Sequence, residues 1–426
     1  MKHFIYIFLL SCSIMLAQQT PAPNQTQGIS IEGATAHLGN GEVIENSLVM
    51  FENGKITFVG SAYAKIARTG TVINASGKHI YPGFIATNST LGLIEIGAVR
   101  ATNDQAEIGN FKPHIRSLIA YNAESKIVES VRPNGVLTAQ ITPRGGRIAG
   151  SSSIVQLDAW NWEDASIKTD DAIHINWPRT FTRTGWWTGN PETKPNKDYQ
   201  KQIDEMNTFF NEARNYLKGN PSEKNIVFES MKEVLAKNKK VFINANDEKQ
   251  IIDAVTFAQN QGLDIAIVGG YEAPKTIDLL KKHTIPVLVQ RIHSSPDNED
   301  DDYDYPYKLA QLLNEKGILV GLEGSGSMEQ MNTRNLPFYA GTCVAHGMSK
   351  EDALKLITSN TAKILGMDTT LGSLEVGKDA TLFISNGDAL EMMGNSLTKA
   401  YIQGRDISLE THQTKLWKRY SDKYKN

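Results

Sequence analysis

"GKHIYPGFIATNSTLGL", residues 77 to 93, decides the fold of this chain. His79-Ile80-Tyr81 closes one strand-like run, Pro82-Gly83 breaks it, and Phe84-Ile85-Ala86 opens another that ends in the polar residues Asn88, Ser89 and Thr90. The two sides of this break differ in pattern. Upstream, "SIEGATAHLGNGEVIENSLVMFENGKITFVG" (residues 30 to 60) sets Asn40-Gly41 and Asn53-Gly54 between β-prone runs. Asn-Gly supplies the two positive-φ positions of a tight hairpin, so a small antiparallel sheet is expected up to Pro82. Downstream, strand-like runs begin near Val241, Leu263, Pro286 and Ile318. Helical patterns lie between them, such as Ile251, Ile252, Val255 and Ala258, then Leu309, Leu312 and Leu313. Strands alternating with helices through short links argue for βα units around a parallel sheet. Near the end, "LGSLEVGKDATLFISNGDALEMM" returns to strand-and-turn composition.

The simplest architecture is therefore α/β: a βα barrel over residues 83–369, whose flanking β segments, 28–82 and 370–410, join into one small composite β-sandwich. With 426 residues, 40% of them apolar, the chain can bury a large core. A formal net charge of −3 gives no footprint for nucleic acid. The opening "MKHFIYIFLLSCSIMLAQQ" has a lysine, an apolar run and Ala17 before a polar stretch, the pattern of an export signal over residues 1–17. Residues 18–27 then read as a flexible leader and 411–426 as an amphipathic tail. Export as a periplasmic or extracellular soluble protein is the expectation, with lipid anchoring through Cys12 as the alternative. The apolar run is short for a membrane span, and no later run approaches the length of one. With the signal removed, Cys343 is left without an intramolecular disulfide partner.

"NGKITFVG" followed by "GKHIYPGFI" resembles the entry from β-sandwich into barrel in the amidohydrolase superfamily, in its exported branch related to imidazolonepropionase and prolidase. "NLPFYAGTCVAHGMSKEDALKLITSNTAKILGMDTTLGSLEVGKDATLFI" (residues 335 to 384) resembles the closing helices and the return to the sandwich. The resemblance implies a (β/α)8 TIM-like barrel with its site at the C-terminal ends of the strands, and metal-assisted hydrolysis of C–N or amide bonds. It also implies a His-x-His pair on strand one, histidines on strands five and six, an aspartate on strand eight, and often a bridging lysine or glutamate from strand four. Matched to this chain, the pair falls on Asn88 and Thr90, the strand-five position on Asn244 and the strand-six position on Gly269. Glu323 stands near the expected aspartate, and no strand four is placed between residues 150 and 240. Neither an amide nor a hydroxyl competes with imidazole for zinc. At least three imidazoles are missing, so zinc is expected only if an unusual site exists. Two classes of function follow: a non-catalytic protein binding a ligand or partner, or a hydrolase of an amide, cyclic amide or dipeptide with a reduced site.

Other residues are weighed against plainer roles. His293 ends "IPVLVQRIH" and is placed at the rim, as an acid, base or ligand or as a solvated histidine. Asp297 to Asp304 hold six acids in eight positions, a calcium-capable or simply solvated loop. Arg144, beside Gly145-Gly146, and Arg334 could each grip an anion in the pocket. Glu95, Arg100 and Asp104 follow strand one and could supply charge there or pair on the rim. Residues 159 to 189 hold five of the six tryptophans, as a lid, a partner surface or a private mini-core. If they form a subunit contact, Trp186 and Trp187 would sit at the centre of a homo-oligomer or of a complex with a related amidohydrolase chain.

Overall fold

A computed structural model describes residues 20–185, 192–219, 223–326 and 328–425. The export signal with Cys12, and the tryptophans Trp186 and Trp187, lie outside the described residues.

Eight strands make one sheet: β1 (Phe84–Ser89), β2 (Val136–Ile141), β3 (Ile148–Gln156), β4 (Ser166–Asn176), β5 (Lys240–Ala245), β6 (Ile265–Gly269), β7 (Val287–Val289) and β8 (Val320–Leu322). Each pairs with the next in chain order, and a parallel bridge between Thr87 and Glu323 brings β1 against β8, so the barrel is nearly closed. Runs such as "VFI" in β5 and "IAIV" in β6 are buried throughout, as expected where side chains meet the barrel interior on one side and helices on the other. Inside, Ile85, Ile154, Ala172, Phe242, Ala266, Val268 and Leu288 pack together as a core of their own.

One strand departs from the parallel pattern. β3 runs antiparallel to both β2 and β4. The cause is local: a parallel crossover needs a dozen or more residues, whereas residues 142 to 147 leave room only for a turn. Gly145 and Gly146, at φ 77° and 71°, make that turn. The missing strand four is β4, which runs through the tryptophan-rich segment. That segment is therefore partly barrel wall rather than an insertion. Within it Trp177 is buried and donates from Nε1 to the Tyr199 hydroxyl at 3.1 Å, while Trp160 is exposed.

Two further sheets sit outside the barrel. One orders Lys55–Ser61, Ser47–Glu52, Ile29–Glu32 and Thr71–Asn74. The other pairs Leu382–Ser385 antiparallel with His79–Pro82, joining the late β segment to the early one. Ile31, Phe51, Ile80, Leu382 and Tyr401 share a core separate from the barrel's. Asn53 and Gly54, at φ 51° and 77°, form the expected tight hairpin. Asn40-Gly41 instead lies in a wider loop closed by Leu38 N–H donating to the Glu42 carbonyl, with positive φ at Gly39 and Gly41. Among the described residues no helix is long and apolar enough to cross a membrane.

Candidate functional site

The parallel strands all end at one mouth, and the site is assembled from what each delivers there. β1 delivers Asn88 in the left-handed region at φ 48°, a conformation asparagine tolerates better than most residues. The ladder with β2 slips between Ala86 and Ser89 at this point. Asn88 becomes a hub. Its Nδ2 donates to Glu323 Oε2 at 3.2 Å, and its N–H donates to Gln140 Oε1 at 3.2 Å. Its Oδ1 and carbonyl accept from the Arg144 guanidinium at 3.0 and 2.6 Å.

Arg144 reaches this hub because the β2–β3 turn opens at the mouth, and it also pairs with Glu329 Oε1 at 2.9 Å. Glu323 is buried and accepts from the Ser325 N–H at 2.6 Å and the Ser325 hydroxyl at 2.8 Å. Burial holds its carboxyl above the usual glutamate range, and the Ser325 bonds oppose this. Deeper in, the Ser152 hydroxyl is 2.7 Å from Asp171 Oδ1, and Gln140 Nε2 donates to Asp171 Oδ2 at 2.9 Å. Burial likewise raises the Asp171 carboxyl.

His174, on β4, stands 2.8 Å from Ser152 Oγ through Nε2 and stacks on Phe242 with centroids 5.2 Å apart. Burial depresses its pKa to about 3, with Arg144 adding to the effect. With the serine proton given to Asp171, the consistent tautomer is a neutral ring donating from Nε2 to Ser152. Serine, histidine and aspartate meet here, but not as a nucleophilic triad. The carboxylate bonds the hydroxyl rather than the imidazole, and Ser152 is fully buried.

Above this layer opens a cavity of about 920 Å3. Six carboxamides line it, from Asn88, Asn103, Gln105, Asn176, Asn244 and Gln330, with Ile94, Ile96, Phe242 and Val268 as apolar wall. The exposed Asn244 side chain, at the end of β5, faces this space. Glu95 also lines it and accepts from Asn122 Nδ2 at 3.0 Å.

Of the residues expected at the family ligand positions, Asn88 and Asn244 line the cavity, and Glu323 lies directly beneath, bonded to Asn88. Thr90 does not reach it: the residue is fully buried and its hydroxyl has no partner among the described residues. Gly269 is displaced too. Val268 takes the inward place on β6, and a Cβ on Gly269 would stand 2.1 Å from Asn246 Oδ1.

Arg144 is in the pocket, but its guanidinium is spent on Asn88 and Glu329. His293 is outside, bonded through Nε2 to Thr342 Oγ1 at 2.7 Å. Arg334 is exposed, and its carbonyl accepts from Asn134 Nδ2. In the acidic loop Asp301 accepts from the Tyr271 hydroxyl at 2.5 Å and Asp304 pairs with Lys308 at 2.7 Å, while Asp297, Glu299, Asp300 and Asp302 are exposed.

Sequence reasoning missed His174, Gln140, Asp171 and Glu329. The signal for His174 was present in "DAIHIN", which alternates as a strand and ends at the mouth. A metal centre does not fit the residues present. Among the described residues no three His, Cys, Asp or Glu side chains are grouped to hold an ion. The nearest imidazole, His174, is bonded to Ser152, and the nearest carboxylates serve Ser325, Asn88 and Arg144.

Residues 307–406 match the model of the amidohydrolase family. Among solved structures, an amidohydrolase from Thermotoga maritima MSB8 superposes with a TM-score of 0.75 at 23% identity, covering 89% of this chain and 99% of that one. A molinate hydrolase superposes at 0.53 with 15% identity, covering 92% and 96%. A putative prolidase from Bifidobacterium longum does so at 0.52 with 14% identity, covering 90% and 95%. No curated protein matches the sequence significantly. The family match is confined to residues 307–406, and the superpositions show that this chain shares its fold with these hydrolases.

Proposed function

We propose that this amidohydrolase-superfamily chain is a binding protein rather than a metal-dependent hydrolase, and that its barrel mouth receives a small uncharged polar molecule. One observation carries the reading: each ionisable group at the cavity floor is already answered inside the protein. Arg144 is matched by Glu329, Glu323 by Ser325 and Asn88, and His174 by Ser152. Apart from Glu95 at the edge, what remains toward the cavity are carboxamides, which both donate and accept, set among apolar walls. An anionic ligand would enter without a counter-charge and lose its hydration, the carboxylate left facing the cavity being Glu95. A neutral saccharide or a comparable polyol would keep its hydrogen bonds.

The reading includes export through the first 17 residues, with the two outer sheets forming one composite β-sandwich beside the barrel. It also includes self-association or pairing with a related chain. Thermal shift with paired ligands tests the cavity: neutral disaccharides against their uronate counterparts. Stabilisation by neutral members that is lost in Asn244→Leu is expected. Stabilisation by the uronates alone would reverse the assignment.

A further inference from the structure

The helix His412–Lys423 has an aromatic face that the protein itself does not cover. None of its residues is buried, and only Leu416 and Ser421 are half-buried. Trp417, Tyr420 and Tyr424 are 68%, 53% and 77% exposed. At the helical repeat these three and Leu416 share an arc of about 100°. A helix that belongs to a folded body turns such an arc inward; this one leaves it in solvent. The remaining surface is basic. Lys415, Lys418, Arg419, Lys423 and Lys425 outnumber the two acids near them, Asp422 and Glu410, the latter just before the helix and paired with Lys418 at 2.8 Å and Lys415 at 3.9 Å, on a chain whose net charge is −3.

Two of the cations border the rings: Arg419 lies 5.9 Å from the Tyr420 centroid and Lys423 5.3 Å from that of Tyr424. The helix is held at its start, where Thr411 caps it and the His412 N–H donates to Glu129 at 2.6 Å.

We infer that this helix lies on an anionic membrane surface. Tryptophan and tyrosine prefer the headgroup level, where an apolar ring meets water through its polar edge. Lysines and arginine beside them add attraction to anionic lipid. The face has one leucine and no isoleucine, valine or phenylalanine, so it suits a shallow interfacial seat better than a protein groove, which takes aliphatic anchors at helical spacing.

The test is co-sedimentation of the full chain with vesicles of phosphatidylcholine plus phosphatidylglycerol, and with phosphatidylcholine alone. Binding to the mixed vesicles is expected, about tenfold weaker on phosphatidylcholine alone and weakened by salt. The combined Trp417→Ser, Tyr420→Ser, Tyr424→Ser variant should lose about tenfold or more. Combined Lys415→Gln, Lys418→Gln, Lys423→Gln should remove the salt-sensitive part. Because no residue of the helix is buried, both variants should keep the parental circular dichroism and unfolding midpoint. Equal binding by parent and aromatic variant would overturn the inference. So would a self-association of the parent, seen in sedimentation velocity, that the aromatic substitutions abolish.

Discussion

Replacing Arg144 with alanine tests the physical centre of the site. The guanidinium supplies Asn88 Oδ1, the Asn88 carbonyl and Glu329 Oε1 with hydrogen bonds of 3.0, 2.6 and 2.9 Å. Its side chain is 23% exposed and that of Glu329 only 8%. Removing one member of a fully buried pair costs about 3–5 kcal/mol, because the other charge is stranded. Water from the adjacent cavity can reach part of Glu329, which brings the expected cost to about 2–3 kcal/mol. Urea unfolding of Arg144→Ala, Glu329→Gln and the double variant measures it. The double variant should recover part of the loss, with a coupling energy of about 1–2 kcal/mol. A cost below about 0.5 kcal/mol, in the range of a neutral surface change, would refute the reasoning, as would strict additivity.

The depressed His174 pKa makes the unfolded chain take up the proton first. Stability should therefore fall as pH drops from about 6.5 toward 3, by up to about 1.4 kcal/mol per unit, and His174→Gln should flatten that part of the pH–stability curve. Glu323 and Asp171 have the opposite sign: their raised values favour the folded state at low pH and lose that contribution as pH rises above the ordinary carboxylate range, so Glu323→Gln should reduce the slope there. Gly269→His should cost about 2–4 kcal/mol in urea unfolding, since φ is +92° and the new Cβ would meet Asn246. Combined Asn88→His and Thr90→His should not confer tight zinc binding by calorimetry, because position 90 is fully buried away from the cavity; a sub-micromolar site would contradict that placement.

The barrel was legible because β5 to β8 are short runs with apolar centres separated by amphipathic helices. Hairpin chemistry likewise located the early sheet, although the Asn40-Gly41 loop proved wider than its dipeptide suggested. Strand four was hidden for two reasons. β3 reverses direction through the Gly145-Gly146 turn, breaking the βα rhythm, and β4 begins with the polar residues Ser166, Lys168 and Asp170, which do not read as a buried strand.

The site was partly legible. Pro82-Gly83 fixed the register closely enough to place Asn88 at the mouth, while the left-handed turn at Asn88 sent Thr90 elsewhere. On β6 the inward residue is Val268, one place from Gly269, a single-residue difference that alternation along a strand makes decisive. The partners of Arg144 were beyond reach, because Asn88 and Glu329 meet it across 56 and 185 residues of chain.

The most direct measurement is metal content together with hydrolysis, on protein purified without chelator. Elemental analysis should find no stoichiometric zinc or other transition metal, and added zinc should evoke no cleavage of dipeptides or cyclic amides. Stoichiometric metal whose removal abolishes hydrolysis, and whose return restores it, would contradict the account.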